Sequence, residues 1–207
     1  MSTNLPQTVL DAVAVTEVTQ LVLTERESRD LGHWRTMRAC FHDDSRIRIS
    51  WFNGNGEDFV KGSIDMARRG VLAKHRLGPV RVRRAGERAV ASLAAIIDIP
   101  TVVGGIEAQL SSHARFLFRA ERRRERWGLS GFDAVYRRDE LVPTIPGQTI
   151  SVTPAQLAGF RPSYRMLSFV LTSQGYAVNH ELAGEDRPET AAALEREIDT
   201  WAGFTPE

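Results

Sequence analysis

"KHRLGPVRVRRAGERAVAS", residues 74–92, decides the fold of this chain. "RVRR" (81–84) reads as strand, "RAGER" (84–88) as a tight turn, and residues 88–99 as the strand that returns from it. Two further strands are expected at about 106–121 and 126–138, with "ERRRERW" (121–127) as the hairpin turn between them. Long strands joined by short links pair as an antiparallel meander. One histidine, His75, stands just ahead of the first strand. It is placed either as surface decoration or as half of an acid/base pair.

Upstream the periodicity changes to that of helices. Leu10, Val13, Val18, Leu21 and Val22 recur at helical spacing and predict a helix over 8–29. Asp30 and Gly32 mark a break, and a short second helix over about 33–40 turns Trp34, Met37 and Phe41 inward. In "DDSRIRISW", Arg46, Arg48 and Ser50 alternate with Ile47, Ile49 and Trp51, which predicts a strand. "FNGNGED" supplies a turn, and a third helix follows at about 57–69 with Phe59, Ile64 and Met66. Three helices followed by a curved antiparallel sheet make an α+β fold.

Downstream, residues 139–162 are rich in Pro and Gly and read as an irregular arm. A helical stretch at 163–173 and a last helix in "GEDRPETAAALEREIDTW" (184–201) are expected after it. Asp186 is read as the N-cap of that last helix, Glu189 as its capping-box partner, and Leu194, Ile198 and Trp201 as its apolar stripe. The organisation expected is a domain over 1–143 and an extension over 144–207 that packs on it or on a partner subunit.

Composition narrows the function classes. A chain of 207 residues suits one domain with a real core. A net charge of +1 gives no electrostatic case for nucleic acid or an anionic membrane. The arginine runs at 81–84 and 121–127 lack interleaved aromatics, so they read as a solvated strand edge and turn, not an RNA platform. Cys40 is the only cysteine, which excludes an intrachain disulfide. "MSTNLPQTVLDAV" has no basic segment leading into an apolar core, and no apolar run reaches membrane-spanning length. A cytoplasmic location is therefore expected, with no nucleic acid and no membrane as partner. "HDD" (42–44) is rejected as a metal site, because adjacent turn residues do not converge on one ion.

Three stretches together resemble the nuclear transport factor 2-like superfamily, in its SnoaL-like branch. "RDLGHWRTMRACFHDDSRIRISWFNGNGEDFVKG" (29–62) is similar to the family's Asp, aromatic-led short helix, Phe and Asp-containing turn into the first strand. "KHRLGPVRVRRAGERAVAS" is similar to its His, strand, Gly turn and "R-A" opening of the next strand, and "WGLSGFDAVYRRDELVP" (127–143) to its closing strand. The resemblance spans about residues 8–143. It implies a cone built from the curved sheet and the three helices. The branch includes polyketide cyclases, scytalone dehydratase and the hexachlorocyclohexane dehydrochlorinase.

The same resemblance implies Asp30 and His75 as a catalytic dyad at the floor of the cone, with no cofactor and no metal. A neutral imidazole is a competent base near pH 7, and a carboxylate on its other nitrogen fixes the tautomer and stabilises the imidazolium. Such a pair suits dehydration, elimination, isomerisation or an aldol-type cyclisation of a small apolar or aromatic molecule. The bland alternative makes Asp30 the N-cap of the second helix and His75 a solvent-facing loop residue. Trp51, His113, Arg115 and Tyr136 are the candidate substrate-binding residues. His113 and Arg115 share one strand face, directed either at the pocket or at a dimer mate. The first helix lacks the tyrosine that the steroid isomerase of this fold uses in its oxyanion hole; the three tyrosines are Tyr136, Tyr164 and Tyr176. A homodimer is implied by the family's habit of pairing through the outer sheet face. Two other readings stay open: a non-catalytic binding or structural cone similar to the small subunit of ring-hydroxylating dioxygenases, and a protein-interaction adaptor.

Overall fold

Ala14, Val18 and Val22 begin the buried stripe of the first helix, and the stripe carries on through Glu25, Arg26 and Arg29. The computed structural model describes residues 6–205; the first five residues of the N-terminal stretch and the last two of the expected extension lie outside them. Helix α1 runs Gln7–Leu31 and ends where Gly32 takes φ 75°, a left-handed conformation that glycine adopts without strain. Asp30 therefore belongs to the last turn of α1. The N-cap position of α2 (Trp34–Ala39) is His33, so the capping role considered for Asp30 is not the observed one. Leu10 and Val13, expected to face inward, are exposed. A 25-residue helix is about 37 Å long, and the burial of α1 begins only at Ala14.

Strand β1 (Phe41–Ile49) turns back through β2 (Phe52–Gly54) into α3 (Gly56–Arg68). Asn55 caps α3, its side-chain oxygen accepting the Asp58 N–H at 2.8 Å. The remaining strands are β3 (Lys74–Leu77), β4 (Arg81–Ala85), β5 (Arg88–Val103), β6 (Ile106–Arg123) and β7 (Arg126–Pro143). His75, expected just ahead of a strand, lies within one: β3 pairs with β5, with His75 opposite Ile97. The sheet order is β2-β1-β7-β6-β5-β3, with β4 also on β5. From β4 to β7 every pairing is antiparallel, while β1 joins β7 in parallel. The protein has an α+β fold with a curved, unclosed sheet, and helices α1 to α3 cover its concave side. Register shifts at His113/Ala114 and Arg119/Ala120 mark irregularities between the two longest strands, a device that bends a sheet. Phe59, Phe116, Phe118 and Phe132 fill the concave side, with Phe118 and Phe132 stacked 4.4 Å apart.

The C-terminal arm packs on both sides of this sheet. Helix α4 (Pro154–Leu157) and a 3₁₀ turn (Pro162–Tyr164) lead into α5 (Arg165–Ser173), whose Leu167 and Leu171 line the cavity on the concave side. The Asp139 carboxylate on β7 accepts the Leu167 N–H at 2.7 Å and so holds the first turn of α5. Helix α6 (Pro188–Ala202) crosses the convex side, where Ile198 and Ala202 cover Val90, Leu117 and Val135. Asp186 is not its N-cap. The chain there is held by Arg161 and Ser163, both bonded to the Asp186 carboxylate, and helix geometry starts at Pro188 after Arg187. The "RVRR" run is also less solvated than expected, since Arg83 pairs with Asp199 of α6 and Arg84 with Asp11 of α1.

Candidate active site

The last turn of α1 and the short strand β3 bring Asp30 and His75 together. The His75 ring is turned under the helices, with 4% of its side chain exposed. Its Nδ1 lies 2.6 Å from Asp30 Oδ1, and its backbone N–H donates to Asp30 Oδ2 at 2.7 Å. A carboxylate can only accept, so the ring proton sits on Nδ1 and the lone pair on Nε2. His75 lines the concave cavity, whereas Asp30 stands behind it and shares with it a separate pocket between α1 and β3.

Burial disfavours the Asp30 carboxylate, but the bonds from His75 outweigh it and hold its pKa below the usual value. Burial also pulls His75 down, and although Asp30 opposes this, the charges of Arg26 and Arg29 add to the fall, to about 4. At neutral pH the pair is therefore a neutral imidazole beside a carboxylate.

The cavity that His75 lines is small, with about 30 Å³ of space open to a water-sized sphere. Small-molecule sites usually hold roughly 300–1,000 Å³, so a substrate enters this one only if side chains of its wall move. Its walls are mostly apolar, with Ile97, Ile99, Phe116 and Phe132 from the sheet and Leu167 and Leu171 from α5. Trp51 and Tyr136, both expected there, do line it. The Tyr136 hydroxyl accepts the Ser50 N–H at 2.9 Å, and burial pushes its pKa up to about 12. Tyr136 thus stays a neutral phenol, and among the described residues nothing accepts its proton.

His113 and Arg115 are not in the cavity wall. Their strand face is the convex one, because Ala114, Phe116 and Phe118 take the concave side. His113 Nε2 lies 3.5 Å from Glu140, and Arg115 pairs with Glu195 of α6. The face expected to meet either the pocket or a dimer mate is partly covered by the chain's own helix.

Two cavity residues escaped the sequence reading. Arg26 is fully buried, paired with Glu25, and its guanidinium lies 4.8 Å from the centre of the Phe132 ring. Its Nη1 stands 3.5 Å from His75 Nε2. Arg29 is buried beside Met66 and Trp51, with Nη2 3.5 Å from the Met66 sulfur. Burial, with the neighbouring Arg26 charge, lowers Arg29 to about 10, so it remains a cation at neutral pH. The signal was present: Val18 and Val22 extend at i+4 to Arg26 and at i+7 to Arg29, a core stripe that continues through charged residues.

Comparison with known proteins agrees with this architecture. Residues 11–133, more than half of the chain, match the family described as SnoaL-like domain. A PEP2-like protein of Fusarium vanettenii is 28% identical over 144 residues, 68% of this chain and 62% of the relative, so the chain spans about three fifths of that relative's length. Pea pathogenicity protein 2 of the same fungus is 26% identical over 172 residues, 81% of this chain and 74% of the relative. Among solved structures, a scytalone dehydratase-like protein of Novosphingobium aromaticivorans superposes with a TM-score of 0.55 at 11% identity, over 69% of this chain and 99% of that one. A type 2 hexachlorocyclohexane dehydrochlorinase gives 0.55 at 17% identity, over 70% and 97%. At these identities the likeness to the solved structures concerns the fold. On the match over residues 11–133, the chain belongs to the SnoaL-like domain family.

Proposed function

We propose that this protein is a cofactor-independent lyase, isomerase or cyclase in which His75 abstracts a proton from a small apolar or aromatic substrate. The observation that carries this reading is the 2.6 Å bond from Asp30 to Nδ1 of His75, whose ring lines a mostly apolar cavity. In the proposed step, Nε2 takes a C–H proton next to a carbonyl or leaving group. Asp30 then faces an imidazolium, whose charge it stabilises strongly because the site is shielded from water. The Tyr136 O–H and the Arg26 guanidinium border the same space and would meet the negative charge that develops on the substrate. The SnoaL-like family match and the dehydratase and dehydrochlorinase folds support a lyase or isomerase class without naming a substrate. A homodimer, using a surface outside the area under α6, and a cytoplasmic location complete the proposal.

A ligand-binding cone without turnover is the second reading. It is favoured by Arg26, which stands 3.5 Å from the lone pair that a base must keep free, and by the low basicity of His75. An NMR titration of His75 in the wild type and in Asp30→Asn tests the dyad. Loss of the Asp30 charge should lower the His75 pKa further; an unchanged value would end the dyad reading. The companion assay is turnover in a screen of dehydration and elimination substrates. Any activity found should fall by about 10²–10⁴-fold in His75→Gln, the usual worth of a positioned general base. Activity retained in His75→Gln would assign the chemistry elsewhere.

A further inference from the structure

We propose that Arg29 anchors a carboxylate on the ligand of this cavity, so that the substrate class is a small apolar or aromatic carboxylic acid. The inference rests on the reading of the cavity as the ligand site, and it adds the charge of the ligand to it.

Every other strongly buried guanidinium that was described has an acidic partner. Arg26 has Glu25, Arg119 has Asp133, and Arg161 has Asp186. Arg29 is the exception: among the described residues its only side-chain hydrogen bond runs to the Met66 sulfur, a weak acceptor. Asp30 is adjacent in sequence, but both of its oxygens are engaged by His75. A buried cation without a partner is costly, and proteins retain one where something else supplies the anion.

Position supplies the second argument. Arg29 and His75 line the same cavity, and the wall around Arg29 is apolar, with Met66, Trp51 and Leu171. Of the two guanidiniums in the wall, Arg26 is already paired with Glu25, and the single unmatched cation suits a molecule that is hydrophobic over most of its surface and anionic at one end. A guanidinium presents a planar fork of N–H donors that matches a carboxylate. The closed cavity is smaller than such a ligand, so binding requires its wall to yield; the apolar body would then lie against Phe116 and Ile97, beside His75. The bound anion would also oppose the charge that Arg29 exerts on the histidine.

The test uses benzoate and its uncharged analogue benzamide as probes of the full-length protein, read by isothermal titration and by chemical-shift changes. Wild type should bind benzoate at least tenfold more tightly than benzamide. Arg29→Met should bring the two within about twofold, and Arg29→Lys should keep part of the preference. Thermal melts of each variant establish that it is folded. Wild type binding the two probes equally would overturn the proposal, and this arm needs no variant. A full preference for benzoate in Arg29→Met would overturn it as well, assigning the anion to Arg26. His75→Gln separates this inference from the catalytic one: it should retain the benzoate preference even though it removes the base. Retained preference with no turnover in the wild type would leave the anchor standing and the enzyme reading without support.

Discussion

The two sides of the sheet hold arginines in opposite ways. On the convex face, Arg48, Arg83, Arg115 and Arg119 meet acids, chiefly Glu195, Glu197 and Asp199 of α6 together with Asp133. Charge there is matched within the chain, and it fastens the C-terminal helix to the sheet. On the concave side, α1 lowers Arg26 and Arg29 into a cavity of aromatic and aliphatic walls, and Arg29 has no acid of its own. Matched charge indicates assembly of the fold, and unmatched buried charge indicates a site that something else completes.

The contrast can be broken most strongly at Asp133, which is buried between Arg48 and Arg119. Asp133→Ala leaves Arg119 buried without its main partner. It should cost about 3–5 kcal/mol of unfolding free energy in a urea titration. A loss under about 1 kcal/mol would show that the convex network is not what holds α6.

A smaller effect is expected from pH. The folded-state pKa of His75, about 4, lies below the value of about 6.5 that an unfolded histidine has. Between those values the unfolded chain takes up a proton that the folded chain does not. Stability from this group is therefore complete above pH 6.5 and is lost as pH falls toward 4, by about 3 kcal/mol in total. His75→Gln should flatten that part of the stability profile; identical wild-type and variant slopes would mean that the imidazole is not buried neutral.

The smallest effect, and the sharpest in sign, concerns Arg29. Arg29→Met removes a buried cation without breaking an ion pair, so the unliganded protein should be unchanged or about 1 kcal/mol more stable by thermal melting. A loss comparable to that of Asp133→Ala would place Arg29 among the structural arginines.

Much of this architecture was legible in the sequence because periodicity reports burial. The β5, β6 and β7 strands and the helix at α3 lie close to where alternation and helical spacing put them. Asp30 was seen, but at a break instead of inside α1, because Gly32 and not Asp30 terminates the helix. Arg26 and Arg29 lie on the apolar stripe of α1 yet do not read as buried, for a physical reason. Charged residues at the end of an amphipathic helix ordinarily face water, and only the three-dimensional closure of the cone puts them inside. Alternation correctly grouped His113 with Arg115, yet it could not say which group faced the cone. Phe116 and Phe118, on the opposite set, decided that. The covering of the convex face by α6 was also hidden, since its Glu195 and Asp199 become legible only beside Arg115 and Arg83.

Asp30 has one further consequence. β3 has a single neighbouring strand, β5, so the His75 amide points outward to where a further strand would bind. One oxygen of Asp30 occupies that position, taking the part that a carbonyl of an adjacent chain would play. The carboxylate that orients the imidazole is thus also a stopper at the end of the sheet. Replacing it by a side chain with no acceptor would uncover a backbone donor on which another molecule's strand could dock, and self-association would accompany the chemical defect.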